Sequence, residues 1–346
     1  MSRTTVGIIN VTGYAGMELA RLLCQHPEVE LVSVTGRSAA GKGLGQVFPH
    51  LAQLDLTIEV ELGNVDLAFS AMPHGESAKE VILLLNRGVK VVDISADFRL
   101  KDSAEYPRWY EFSHPAPQLL KQAVYGLPEL YRSQVASAQL VANPGCYPTG
   151  AILALAPMVK EGLIKPDIVI DSKSGVSGAG RTISLETHYS EVNEDVAAYA
   201  LVGHRHLPEI IQELKLLRPE QLPLVTFVPH LIPMTRGILS TCYASIVSGK
   251  VAAGKKGEEE LRQLYLDFYR DEPFVKILEF SPHTKHTLGS NLCLLYSTID
   301  HRTGKLIVIS SIDNLIKGAA GQAIQNMNLM LGIPETTGLE ALAIYP

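Results

Sequence analysis

Thr5-Val-Gly-Ile-Ile-Asn-Val-Thr-Gly-Tyr-Ala-Gly-Met17 is the stretch whose reading decides the fold. Val6, Ile8 and Ile9 make an apolar run that predicts a short buried strand over Thr5–Asn10. Gly13 and Gly16 follow in a turn. From Met17 to Cys24 the apolar residues recur at helical spacing. Strand, glycine-bearing turn and helix at the head of a βα unit suit a dinucleotide: the glycines let the backbone approach a pyrophosphate at the helix N-terminus. Asn10 stands where the usual pattern has glycine, and asparagine tolerates left-handed backbone angles better than most residues. Thr12, Gly13, Tyr14, Ala15 and Gly16 are therefore the candidate cofactor contacts.

Outward from this unit the alternation continues. Strands are predicted at Val29–Val34, Val65–Ser70, Val89–Ile94 and Ala138–Ala142, with a helix at Ser77–Asn86. Strand–helix alternation implies a parallel sheet wound on both faces, a Rossmann-type α/β domain. The second strand runs into Thr35-Gly-Arg-Ser38 without the acid that normally holds an NAD ribose. Arg37 and Ser38 suit a 2′-phosphate instead, so NADP(H) is the expected cofactor. Beyond residue 160 the pattern changes. Strands at Asp167–Ser172, Leu224–Phe227, Gly237–Val247, Leu292–Ile299 and Leu306–Ser311 follow with little helix between them, which predicts an α+β domain with a largely antiparallel sheet. Residues 1–147 with 313–346 are assigned to cofactor binding, and 148–312 to catalysis and dimerisation. Leu315–Leu331 reads as one helix rich in Gly and Ala, able to pack closely.

The 346 residues carry a formal net charge of −6, which offers no basic surface for nucleic acid or anionic lipid. The four cysteines form no CxxC pair, so neither a disulfide framework nor a thiolate metal site is expected. No stretch approaches the ~20 apolar residues of a membrane span. Met1-Ser-Arg-Thr-Thr5 leads directly into the first strand with no signal-like run. A cytoplasmic protein acting on a small molecule is the expectation.

The chemistry concentrates at Asn143-Pro-Gly-Cys-Tyr-Pro-Thr149, between a strand and an apolar helical pattern at Ala151–Val159. A cysteine at a helix N-terminus is favoured as a thiolate by the free N–H groups and the helix dipole. Cys146 is the candidate nucleophile. A nucleophile needs a proton partner, and Tyr199-Ala-Leu-Val-Gly-His-Arg-His-Leu-Pro-Glu209 offers His204 and His206. Spacing alone does not choose between them. Arg99 closes Asp93-Ile-Ser-Ala-Asp-Phe-Arg99 at the carboxyl edge of the fourth strand, where open α/β sheets bind ligands. It is the first candidate for a phosphate, with Arg181 and Arg236 behind it. Asn143, Tyr199 and Glu209 are candidates for orienting substrate or histidine.

Taken together, these runs resemble the N-acetyl-γ-glutamyl-phosphate reductases and, more distantly, the aspartate-semialdehyde dehydrogenase group. Ser174-Gly-Val-Ser-Gly-Ala-Gly-Arg181, Ser190-Glu-Val-Asn193, Pro229-His-Leu-Ile-Pro-Met-Thr-Arg-Gly237 and Asp313-Asn-Leu-Ile-Lys-Gly-Ala-Ala-Gly-Gln322 extend the likeness over essentially the whole chain. The resemblance implies Cys146 as nucleophile and His204 as acid/base, with His204 stabilising the thiolate as imidazolium. It implies that Gly175, Ser177 and Gly178 lie near the nicotinamide, and that Asn314 and the helix after it return to the cofactor domain. It implies reduction of an acyl phosphate through a cysteine thioester, in arginine biosynthesis, by a homodimer or homotetramer. A sister reductase of lysine biosynthesis, acting on a carrier-linked aminoadipyl phosphate, is the alternative.

Overall fold

A computed structural model describes residues 3–346; Met1 and Ser2 of the N-terminal run lie outside the described residues. The chain divides into two compact units. The first runs to Gly145 and resumes over Ala319–Ala341, and the second comprises Cys146–Gly318 and Leu342–Pro346.

The first unit is built on seven strands: β1 (Thr4–Ile9), β2 (Val29–Thr35), β3 (Ile58–Glu59), β4 (Leu67–Ser70), β5 (Lys90–Asp93), β6 (Val124–Tyr125) and β7 (Leu140–Ala142). Their order is β3-β2-β1-β4-β5-β7-β6 and every pairing is parallel. Val6, Ile8, Leu67, Ala68, Phe69, Val91 and Val92 are fully buried, which is why these strands read as unbroken apolar runs rather than alternating ones. The expected strands are all present; β3 and β6, of two residues each, were too short to leave a periodic signal. The first helix, Tyr14–Leu23, begins inside the glycine turn.

The second unit carries β8 (Ile164–Gly175), β9 (Ala197–Ala198), β10 (Leu224–Ile232), β11 (Ile238–Ile246), β12 (Val275–Ile277), β13 (Cys293–Asp300) and β14 (Lys305–Ile312), in the order β12-β13-β14-β11-β8-β10-β9. Most neighbours are antiparallel, as expected, but β10 runs parallel to β8 and β12 parallel to β13. Ile168, Ile170, Cys242, Ala244 and Val308 are buried on one face, against the helix Cys146–Lys160. That helix contains Pro157, whose missing N–H leaves the Leu153 carbonyl without its helical donor. Tyr269 supplies one through its hydroxyl at 2.6 Å, and Tyr265 donates to the neighbouring Ala154 carbonyl at 2.5 Å.

The C-terminal helix is not continuous. A π-helical turn, Ile316–Ala320, precedes the α-helix Gly321–Met330. The Gly318 N–H donates to the Asp313 carbonyl five residues back. Single π-turns of this kind are uncommon and gather at functional positions.

Candidate active site

The glycine turn of the first unit has the form a pyrophosphate needs. Gly13 precedes the helix in extended conformation and provides no side-chain cap, so no side chain blocks the first-turn N–H groups. Thr12, Tyr14 and Ala15 flank it, all half-buried. Asn10 takes φ 65°, the left-handed conformation anticipated for it. Its Nδ2 donates to the Ala71 carbonyl, and its Oδ1 accepts from the Thr12 hydroxyl. A Cβ on Gly16 would lie 2.5 Å from the Asn10 carbonyl oxygen, so only glycine lets the helix pack this close to β1. Arg37 and Ser38 lie in a short 3₁₀ turn just beyond β2. Arg37 is largely exposed and ion-pairs with Glu76 at 3.1 Å, with Glu80 at 4.0 Å. An uncapped helix end, a glycine-tight turn and a cation in place of an acid after β2 are the features an NADP-type dinucleotide requires.

Cys146 is the first residue of its helix. Behind it, a Cβ on Gly318 would come within 2.8 Å of the Cys146 Cβ. The Gly/Ala richness of the C-terminal segment is therefore explained here at one atom: the π-turn brings a residue without a side chain against the cysteine.

Beside Cys146 stands a ring cluster. Tyr147 meets His204 edge-on at 5.5 Å, His206 at 5.9 Å and Phe227 at 5.3 Å. Tyr199 lies 5.5 Å from His204. The Tyr199 hydroxyl donates to the Tyr147 hydroxyl at 3.1 Å, which donates onward to the His230 carbonyl. Burial raises the pKa of both phenols, that of Tyr199 to about 12, and a negative charge on Cys146 raises both further. Both phenols therefore keep their protons at neutral pH. His204 is pushed down to about 4, by burial first and by the Arg205 charge second. The His206 N–H donates to His204 Nδ1 at 3.1 Å, which leaves the neutral ring's proton on Nε2. The expectation of an imidazolium is thereby corrected: an apolar, ring-lined setting with a neighbouring cation disfavours the charged form.

The other candidates are distributed as follows. Glu209 is fully buried in the first turn of the helix Leu207–Leu217. Gly175 ends β8, and Ser177 and Gly178 lie in the 3₁₀ turn after it. Asn314 holds that turn: its Nδ2 donates to the Ser177 hydroxyl at 2.9 Å and its Oδ1 accepts from the Gly237 N–H at 2.7 Å. Arg236 approaches buried Asp313 at 3.7 Å, and Arg181 is exposed. In the first unit, Arg99 is only 4% exposed and donates to the carbonyls of Asn143 and Ile94. Asn143 is fully buried, with its amide bonded to Ala319 and Asn326. Sequence reasoning assigned no role to Tyr147 or Phe227, and marked Gly318 only as one of the small residues that allow close packing. Tyr147 had a signal in being adjacent to the nucleophile; Phe227 looked like any strand residue.

Residues 5–138 match the family of the semialdehyde dehydrogenase NAD binding domain, and residues 146–314 that of the semialdehyde dehydrogenase dimerisation domain. An N-acetyl-gamma-glutamyl-phosphate reductase of Dehalococcoides mccartyi is 57% identical over 347 residues, covering 100% of both chains. A second, of Pelotomaculum thermopropionicum, is 51% identical over 99% of each. Among solved structures, an aspartate semialdehyde dehydrogenase II of Vibrio cholerae aligns with a TM-score of 0.71 at 16% identity, covering 96% of this chain and 99% of that one. An aspartate semialdehyde dehydrogenase with NADP from Candida albicans aligns at 0.70 and 17%, over 95% and 99%. These two show a shared fold. Among the described residues no helix is long and apolar enough to cross a membrane. With identity of this order running from end to end, the chain belongs to the N-acetyl-gamma-glutamyl-phosphate reductase family.

Proposed function

We propose that this protein reduces N-acetyl-γ-glutamyl phosphate to N-acetylglutamate semialdehyde and phosphate with NADPH, a step of arginine biosynthesis in the cytoplasm. The observation that carries this is Cys146 at the head of its helix, next in sequence to Tyr147, whose ring packs on a neutral His204, in a chain 57% identical throughout to a reductase of that name. Relatives at 48–57% identity share the name, and the carrier-linked alternative has no support among them.

The Cys146 thiolate attacks the acyl carbon and phosphate departs with the bonding pair, leaving a thioester. First-turn N–H groups of the cysteine helix hold the oxyanion as it develops. When bound, NADPH supplies the hydride that brings this carbon to the aldehyde level. His204 offers its Nε2–H as a hydrogen bond to the oxygen as charge gathers there; the thiohemiacetal alkoxide then collapses, the C–S bond breaks with its electron pair on sulfur, and the thiolate is released. Tyr147 and Tyr199 hold the imidazole edge-on and keep water from it.

The first unit supplies cofactor contacts from Thr12 to Gly16 and from Arg37 and Ser38. The second supplies Cys146 and His204, with Gly175, Ser177, Gly178 and Asn314 shaping the nicotinamide side. Glu209 and Tyr199 set the substrate's surroundings; Arg99 is the first choice of cation for its phosphate, with Arg181 and Arg236 as the alternatives. Assembly is as a homodimer or a pair of dimers through the open face of the second sheet. There the register sets Val169, Tyr243 and Ile307 in one row and Ile309 beside Tyr296 in the next. All five are half-buried or exposed in the single chain.

The test is NADP reduction in the reverse direction. N-acetylglutamate semialdehyde with phosphate should support turnover by the wild type and not by Cys146→Ser. Turnover of carrier-linked aminoadipate semialdehyde instead would transfer the protein to the alternative substrate.

A further inference from the structure

The mechanism leaves unused a set of buried amides in the first unit. On the helix Gly321–Met330, Gln322, Gln325, Asn326 and Asn328 are all fully buried. Desolvating an amide is costly unless its groups are paired, so each needs a reason to be there. Asn328 spends its Nδ2 on the carbonyls of Glu335 and Thr337, and its Oδ1 faces His26 Nε2 at 3.0 Å. Those bonds fasten the chain after the helix. Asn326 points its chemistry elsewhere. Its Nδ2 donates to the Gly126 carbonyl at 2.8 Å and to Asn143 Oδ1 at 3.0 Å, while its own Oδ1 has no hydrogen-bond partner. The seat is tight: a Cβ on Gly126 would lie 2.4 Å from that nitrogen.

Asn143 is the hub of this set. Its N–H donates to the Asp93 carbonyl at 2.8 Å, its carbonyl accepts from Arg99 Nε at 2.8 Å, its Nδ2 donates to the Ala319 carbonyl at 3.1 Å, and its Oδ1 accepts from Asn326. Asn143 stands three residues before Cys146. Ala319 is covalently next to Gly318, the residue that abuts Cys146. Both stretches of chain that fix the cysteine backbone are thus tied to one side-chain amide, and Asn326 sets the rotation of that amide by occupying its oxygen.

We propose that Asn326 is a positioning residue for the nucleophile, acting through Asn143 on the turn that carries Cys146; this rests on Cys146 being the nucleophile. An amide donor at Asn326 keeps the Asn143 nitrogen turned toward Ala319. A carboxylate there repels Asn143 Oδ1, invites the amide to flip, and releases Ala319. Displacements near 1 Å at a reacting group can cost on the order of 100-fold in rate.

Asn326→Asp and Asn328→Asp make a matched pair, the same chemistry at equally buried sites on one helix. Each should be assayed for kcat, KM and the pH dependence of Cys146 alkylation by iodoacetamide. Asn326→Asp should lower kcat roughly tenfold or more, move the alkylation midpoint, and leave the NADPH KM near wild type. Asn328→Asp should leave kcat and the midpoint unchanged whatever it does to melting temperature. Wild-type kcat and midpoint in Asn326→Asp, or equal losses in both variants, would overturn the proposal. If either Asp variant does not fold, the serine pair carries the same comparison with the same criteria. Cys146→Ser, run alongside, separates the two ideas, since turnover retained there overturns the nucleophile and not the tie.

Discussion

At His204 two effects push the same way: a ring-lined pocket withholds water, and Arg205 adds a like charge. The neutral form is preferred in the folded chain down to about pH 4. The unfolded chain binds the proton near pH 6.5. Between those values the unfolded state holds more protons, so this contribution is full above pH 6.5 and is lost as pH falls toward 4. Asp93 has the opposite sign. Burial, then Asp97, raises it to about 6, so its native contribution is present below the ordinary carboxylate range and is lost as pH rises through 6. Replacing His204 with Phe should therefore flatten the acid side of a stability profile measured by urea unfolding; an unchanged slope between pH 4 and 6.5 would contradict the neutral assignment. In kinetics, His204→Asn should lower kcat by roughly 100-fold or more. His206→Asn should cost far less, because His206 holds His204 through its backbone N–H, which every residue but proline retains. The opposite ranking would exchange their roles. For Arg37, already balanced by Glu76 and Glu80, change to Ala should raise the KM for NADPH more than for NADH; equal effects would remove it from the 2′-phosphate.

Among the elements, the π-turn Ile316–Ala320 matters most and was the least legible. A run of Gly and Ala reads as good close-packing helix, and nothing in local propensity distinguishes an i→i−5 bond from an i→i−4 bond. What made the turn was tertiary: buried Asp313 and Asn314 are held by backbone N–H groups, including those of Gly289 and Gly237, and the chain must bring Gly318 against Cys146. Gly318→Ala should push the cysteine aside, lowering kcat by about 100-fold and slowing iodoacetamide alkylation while cofactor binding persists. A fully active Gly318→Ala enzyme would refute that contact. The cysteine helix was legible from its apolar run and from the proline in its first turn. Its dependence on Tyr265 and Tyr269 was not, because those hydroxyls come from more than 100 residues away. Tyr269→Phe should cost about 1–3 kcal/mol in thermal unfolding, the loss of a buried carbonyl's partner, and an unchanged melting curve would argue against it.

At the scale of the molecule, the parallel sheet was foreseeable from alternation, because parallel strands buried on both faces are apolar throughout and the crossovers are helices; its order β3-β2-β1-β4-β5-β7-β6, with the two-residue strands β3 and β6 at its edges, was not. The second sheet was legible as strands in succession, but its parallel joints were not, since β-periodicity carries no direction. Half of the candidate chemistry was written in local sequence, namely the helix-terminal cysteine and the glycine turn. The ring cluster and the amide hub were not, because they join residues far apart in the chain. On the open sheet face, Tyr243→Asp should shift the protein toward monomer in sedimentation velocity; an unchanged oligomer would place the interface elsewhere. The central claim is a covalent acyl-enzyme at Cys146. Incubation with N-acetyl-γ-glutamyl phosphate without NADPH, followed by acid quench and peptide mass spectrometry, tests it most directly. One N-acetylglutamyl group on the Cys146 peptide, absent from Cys146→Ser and discharged by NADPH, is the predicted result. No adduct, or an adduct on another residue that survives in Cys146→Ser, would contradict it.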